Sequence, residues 1–335
     1  MTPIVKRQFT DEAPAGQVFK TEPASGEQVK PGDDVTLFVS LGIPQIAYDD
    51  DEDVILADGI DGKRVEEVAG GSERQLQPSF NLAGTALLFV SDDQIQLLDR
   101  TRKDATPKAV TDSGQWRLPT FAPDPSVPTV AALRLLPATD SGQGAELCVG
   151  ALRRSGYDPS CLPLPNGIDG FGTNVLRWSP DGKALFVEGV KAGEGPVGIV
   201  RYTTRTPFSP DAADWRRGRV VTDTGEPGKR AIDLAIAPDG KSMAVVANFD
   251  GPRDLVYITG PDDFDLAKAK RLPLQACTVG WRPDSLELVV VQADDCSGPG
   301  KVLRAEVADP RNTFTLAQFA DAPAYAPSPP DTAGP

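Results

Sequence analysis

The sequence predicts an all-β fold, a six-bladed β-propeller, from three features. One phrase recurs: an apolar residue, a tight turn and an apolar strand. It reads WSPDGKALFVEG from Trp178, IAPDGKSMAVVA from Ile236, WRPDSLELVVVQ from Trp281, FAPDPSVPTVAAL from Phe121 and FNLAGTALLFVS from Phe80. The residues that open these phrases stand 41, 57, 58 and 45 residues apart, near the length of a four-stranded blade. The 32 glycines and 32 prolines suit many short strands joined by tight turns, and 335 residues exceed what one small core holds.

Each unit is legible in order. The inner strand ends in the turn, where Pro presets φ, Asp offers an Asx hydrogen bond and the following residue tolerates positive φ. A second strand follows, as at 184–187, 243–246 and 286–291, and a third after a polar loop, at 95–98, 147–152, 199–202, 255–258 and 302–307. A short fourth strand leads onward. Residues 46–68 match the last three strands of a blade without the first, which makes six units and leaves the first to be completed by another segment, such as that after Asn312. The tail APAYAPSPPDTAGP is too Pro-rich for a central strand and is expected to be disordered. A two-sheet sandwich has no reason to repeat one turn five times.

Composition excludes several functions. A net charge of −14 argues against a nucleic-acid partner. No histidine is present, which removes Ser-His-Asp and Cys-His nucleophiles and nearly all common zinc or copper sites, while Ser-Lys, carboxylate or tyrosine chemistry stays possible. The acidic run at 48–54 has Val54 and Ile60 where an EF-type calcium loop needs Gly and Glu, and Gly170–Asn174 lacks the strand-to-helix setting of a phosphate loop. No cofactor, metal or catalytic residue is therefore assigned. No G-x-S-x-G elbow occurs either, so a secreted hydrolase ranks last among the functions. Trp116 and Trp215 fall in expected loops, as blade-edge caps or exposed anchors.

The repeats resemble the TolB-type, WD-repeat-like propeller of bacterial periplasmic and secreted proteins, over 43–320. Residues 16–42, GQVFKTEPASGEQVKPGDDVTLFVSLG, read as a strand, a Pro- and Gly-marked connection and a second strand. Gln17-Val18, Glu22-Pro23-Ala24-Ser25-Gly26, Val29, Pro31-Gly32 and the strand Val35–Ser40 resemble the C-terminal half of a PASTA domain, the module of penicillin-binding proteins and bacterial Ser/Thr kinases. The strand and helix of the other half are absent or reduced to the first residues, as if the chain were a piece of a longer protein. The implied division is a partial PASTA module at 1–42, the propeller at 43–320 and the tail at 321–335.

The four cysteines form two local pairs without a CxxC. Reflecting position 148 through a hairpin centred between 154 and 155 lands on 161, so Cys148 and Cys161 should lie opposite each other. Cys277 opens an inner strand and Cys296 follows the end of its partner, in a looser register. Two disulfides imply an oxidising compartment, whereas four free thiols are the alternative of a reducing one.

The connections between second and third strands all leave one face of a propeller, and each carries acid: Asp49, Asp50, Asp51, Asp92, Asp93, Asp140, Glu194, Asp250, Asp254, Asp294 and Asp295. The third-to-fourth connections are rich in bases, from Lys63 and Arg64 to Arg311. An acidic face would steer a cationic ligand, although ordinary loop charge accounts for the same residues. The PASTA resemblance implies the non-catalytic extracytoplasmic sensor or scaffold region of a bacterial membrane Ser/Thr kinase, anchored by an upstream transmembrane helix, with a protein or cell-wall glycopeptide ligand. No kinase motif occurs here. A freestanding envelope protein that docks another protein is the alternative.

Overall fold

The computed structural model describes residues 3–30, 32–68, 74–102, 104–124, 126, 128–139, 142–164, 175–191, 195–222, 229–251, 253–261, 264–294, 296 and 298–326. Asp140, Glu194, Asp295, Gly170–Asn174 and the tail from 327 lie outside them. β1 (Pro3–Gln8), β2 (Val18–Glu22) and β3 (Val35–Ser40) form a small sheet in the order β1-β3-β2, with β1 parallel and β2 antiparallel to β3. The expected pair of strands is thus present, and the N-terminal residues, expected to be a remnant, supply a third. The module meets the propeller through Phe9, buried, whose ring lies 5.7 Å from the guanidinium of Arg282.

The remaining strands are β4 (Gln45–Asp49), β5 (Val54–Asp58) and β6 (Arg64–Glu67), then β7 (Gln75–Phe80), β8 (Ala86–Ser91), β9 (Gln94–Asp99) and β10 (Lys108–Ala109). A third group is β11 (Gln115–Phe121), β12 (Thr129–Thr139), β13 (Gly142–Arg153) and β14 (Gly156–Pro163). The fourth is β15 (Leu176–Trp178), β16 (Ala184–Lys191), β17 (Gly195–Thr203) and β18 (Arg216–Val220). Next come β19 (Ala231–Ile236), β20 (Met243–Ala247), β21 (Leu255–Thr259) and β22 (Lys270–Gln275). The chain ends in β23 (Thr278–Trp281), β24 (Glu287–Gln292), β25 (Gly300–Glu306) and β26 (Thr313–Tyr325). Among the described residues the only helical element is a 3-10 turn at Ala212–Asp214.

Four sheets hold one blade each, and the seven-stranded sheet β23-β24-β25-β26-β4-β5-β6 holds two. Its shared strand, β26, closes the ring. Residues 313–320 pair with β25 as the outer strand of blade 6, and 321–325 pair with β4 as the inner strand of blade 1. The expectation of a disordered tail from 321 is therefore corrected. Pro323 is tolerated because it lies in the register shift between Asp321 and Ala324, where no ladder donor is needed. The propeller reaches residue 326.

The second strands explain the near-continuous apolar runs. Each is covered on both sides, and alternate residues enter two different seams. Leu87 and Phe89 pack toward blade 1 and Leu88 toward blade 3; Leu288 and Val290 pack toward blade 5, Val289 and Val291 toward blade 1. The six apolar clusters are the six seams between neighbouring blades. The residue that opens each repeated phrase wedges into the seam with the preceding blade. Trp178 and Trp281 also donate their indole N–H to Thr120 O (3.4 Å) and Ala235 O (3.0 Å) of the preceding inner strand.

The turns follow the expected chemistry. Asp181, Asp239 and Asp284 accept from the backbone N–H two residues on at 3.0, 3.0 and 3.1 Å, and Gly182, Gly240 and Ser285 have φ of 66°, 69° and 62°. Trp116 and Trp215 are buried and act as caps, bonded to Ser113 O (2.7 Å) and Ser209 O (3.1 Å). Trp116 belongs to the inner strand β11 rather than to a loop.

Cys148 and Cys161 are direct register partners and are bonded; Cys277 and Cys296, outside the strand ladders, are bonded as well. Their sequence separations are 13 and 19, so each closes a short loop and contributes roughly 3 kcal/mol in the chain-entropy treatment. Replacing Cys148 and Cys161 together by serine is expected to lower unfolding stability by about 2–4 kcal/mol. Urea unfolding of the variant, with non-reducing peptide mapping of the parent, checks both numbers and pairing; unlinked peptides would refute the bridges.

Candidate functional site

The loops between second and third strands gather on one face with the connections from each blade to the next, because strands alternate direction across a blade. The acidic residues on this face are not equivalent. Asp92 and Asp93 form a two-residue hairpin turn with φ of 50° and 56°, the type that matches strand twist. Asp92 is exposed; Asp93 accepts from Arg117 Nη1 at 2.6 Å. Asp50 is exposed and caps its own turn, accepting from Asp53 N at 2.9 Å. Asp51 pairs with Arg74. Asp250 accepts from Tyr257 Oη at 3.0 Å and stands 3.4 Å from Arg271, while Asp294 is exposed. Asp254 is half-buried, one of its carboxylate oxygens has no partner among the described residues, and desolvation raises its pKa against the pull of Arg230.

Asp49 belongs to the core and not to the loop. It is 4% exposed, and its Oδ2 accepts from Gln77 N at 3.1 Å, joining blade 1 to the inner strand of blade 2. Desolvation, with the charge of Asp321 adding to it, pushes its pKa up to about 7. Asp321 is its register partner across β26 and β4 and is raised by desolvation as well.

The inner strands contain polar residues that sequence spacing did not single out. Gln77 Oε1 accepts from Leu118 N at 2.7 Å, linking the inner strands of blades 2 and 3. Asp233 is fully buried, with Val279 N at 2.8 Å and Arg177 Nη2 at 3.3 Å, linking blades 4, 5 and 6. Desolvation raises Asp233 to about 6 against the opposing pull of Arg177. A charged residue in the middle of the apolar strand AIDLAI was the available signal. These bonds fasten blade to blade and bring no nucleophile beside a general base.

On the other face the bases expected between third and fourth strands share space with acids of the Pro-Asp turns and their neighbours. Lys63 pairs with Asp61, Lys268 with Asp265 (2.7 Å), Lys241 with Asp239 (3.7 Å) and Arg282 with Asp284 (2.7 Å). Of these, Lys63 and Lys268 belong to the third-to-fourth connections, and Lys241 and Arg282 to the turns between first and second strands. The only group of three potential metal ligands among the described residues is Glu146, Cys148 and Cys161, and both of its sulfurs are in the disulfide.

Residues 1–41 match the PASTA domain. In solved structures the fold is similar to TolB from Acinetobacter baumannii, 20% identical, with 85% of this chain and 67% of that one covered and a TM-score of 0.60. A chain of a nidogen/laminin complex is similar at 11% identity and a TM-score of 0.57, covering 85% of this chain and 99% of that one. An oligogalacturonate lyase in complex with manganese aligns at 13% identity and a TM-score of 0.52, over 79% of this chain and 70% of that one. One scaffold thus serves proteins of unlike function, so the likeness speaks for the fold and not for activity. By sequence the first 41 residues match the PASTA domain, and by fold the rest is a TolB-like β-propeller.

Proposed function

We propose that this chain is the non-catalytic, extracytoplasmic ligand- or protein-binding region of a bacterial membrane Ser/Thr protein kinase, with its contact surface on the acidic loop face. The supporting observation is the union in one chain of a PASTA match and a propeller that carries two disulfides within its blades. Bonds of this kind persist in oxidising compartments, which favours the outside of the cytoplasmic membrane. The ligand is a protein segment or cell-wall glycopeptide carrying positive charge, drawn to exposed Asp50, Asp92 and Asp294. The similarity to TolB favours a second reading, a freestanding envelope protein that binds another protein.

Expression of the intact gene with a C-terminal epitope, in its own host, separates the readings. Kinase-linked anchoring is expected to leave the epitope in the membrane fraction and open to protease added to wall-stripped cells. Release of the epitope by osmotic shock would favour the freestanding protein. Protection from protease until the membrane is lysed would overturn both.

A further inference from the structure

Phe319 is 75% exposed, the most exposed large apolar side chain among the described residues. Its position is built, not incidental. Val302 pairs with Ala317 and Gly300 with Ala320, so Gln318 and Phe319 together oppose the single residue Lys301, a β-bulge. Phe319 has a φ of 52°, uncommon for a bulky side chain, and this conformation turns the phenyl ring away from the seam that takes Leu316 and Ala320.

Register places this ring between two acidic loops. Ala320 pairs with Gly300, where the loop bearing Asp294 ends, and Asp321 pairs with Asp49, where the loop bearing Asp50 and Glu52 begins. Asp50, Glu52 and Asp294 are all exposed. Two other accessible phenyl rings carry a cation of the chain itself: Lys20 stands over Phe38 at 4.9 Å and Arg304 over Phe314 at 5.4 Å. Among the described residues, none covers Phe319.

We propose that Phe319 is the aromatic anchor of the acidic face, seating an arginine- or lysine-bearing segment of a protein partner. The cation lies over the ring and the carboxylates of Asp50 and Asp294 flank it, so aromatic attraction holds what the loop charges steer in. The inference rests on the acidic-face reading given above. A net charge of −14 and flanking carboxylates disfavour an anionic lipid surface as the occupant.

The test titrates the full chain with a hexa-arginine peptide at low and high salt. Phe319→Ala is expected to weaken binding roughly fivefold to tenfold while keeping the salt slope, and Phe319→Trp to preserve affinity. The paired change Asp50→Asn and Asp294→Asn is expected to flatten the salt slope. All variants lie on the surface, and unchanged thermal midpoints confirm that they fold. If Phe319→Ala binds like the parent while the Asn pair weakens binding, the anchor is refuted and the acidic face stands; if neither changes binding, both fall. A parent dimer that Phe319→Ala dissociates in sedimentation, or phosphatidylglycerol-vesicle binding that it abolishes, would assign the ring to a second copy or a membrane and overturn the proposal.

Discussion

Truncation after Ala320 is expected to remove most of the stability of the propeller. The 15 residues lost, 321–335, include the inner strand of blade 1, which pairs with β4 at Asp49, Ala47 and Ile46. Tyr325 is buried in the seam between blades 6 and 1, its Oη 3.3 Å from Gly59 O, and Ala326 is buried in the next seam. Gly59 has no room for a Cβ, which would stand 2.6 Å from the Tyr325 ring. Losing a buried aromatic costs about 3–5 kcal/mol. The missing strand also unpairs the inner edge of β4 and uncovers Ile46 and Ala47, both fully buried. The sum approaches the whole stability of an ordinary domain, about 5–15 kcal/mol. Urea unfolding should show one cooperative transition for the full chain and a transition lost or moved far down for the truncated one. Tyr325→Ala should lower stability by about 3–5 kcal/mol, as a milder version of the same lesion. Equal midpoints for full and truncated chains would mean that the ring is held closed elsewhere.

Stability should fall as pH rises from about 4 to 7, and Asp49 should be a principal cause. Its ordinary value of 3.8 is raised to about 7 in the fold, first by desolvation. Over that interval the unfolded chain releases the proton and the folded chain retains it, so the folded state loses ground until the curve levels above about 7. A shift of this size corresponds to a few kcal/mol as an order of magnitude. Asp321 and Asp233 are raised by the same cause and act in the same direction. Carboxyls held low by neighbours, such as Asp61 and Asp265, act oppositely, but they are solvent-screened. Asp49→Asn keeps an oxygen to accept from Gln77 N while removing the charge. The variant should be more stable than the parent at pH 8 and less dependent on pH between 4 and 7, measured as urea midpoints. A variant less stable at pH 8, with the slope intact, would show that ionised Asp49 is favourable in the native ring.

The local features were legible because their causes are local. Pro-Asp turns, alternating strand faces and the hairpin that opposes Cys148 and Cys161 each depend on residues close in sequence, so reading the residues recovers them. Exposed Asp92 and Asp294 were legible as loop acids for the same reason. Asp49 was read with them because it begins the same acidic run, yet one step along a strand separates a solvated carboxyl from a buried one.

From the sequence alone came the all-β class, six blades of like construction, the N-terminal strand pair and the two cysteine pairings. Only the tertiary structure decided that Asp321–Tyr325 completes the first blade, that Asp49, Gln77 and Asp233 fasten neighbouring blades, and that Phe319 stands free between Asp50 and Asp294. The reason is distance along the chain. A closed ring joins Tyr325 to Ile46 and Asp233 to Val279, and such contacts are selected by how whole blades pack around the axis, which no repeat period encodes.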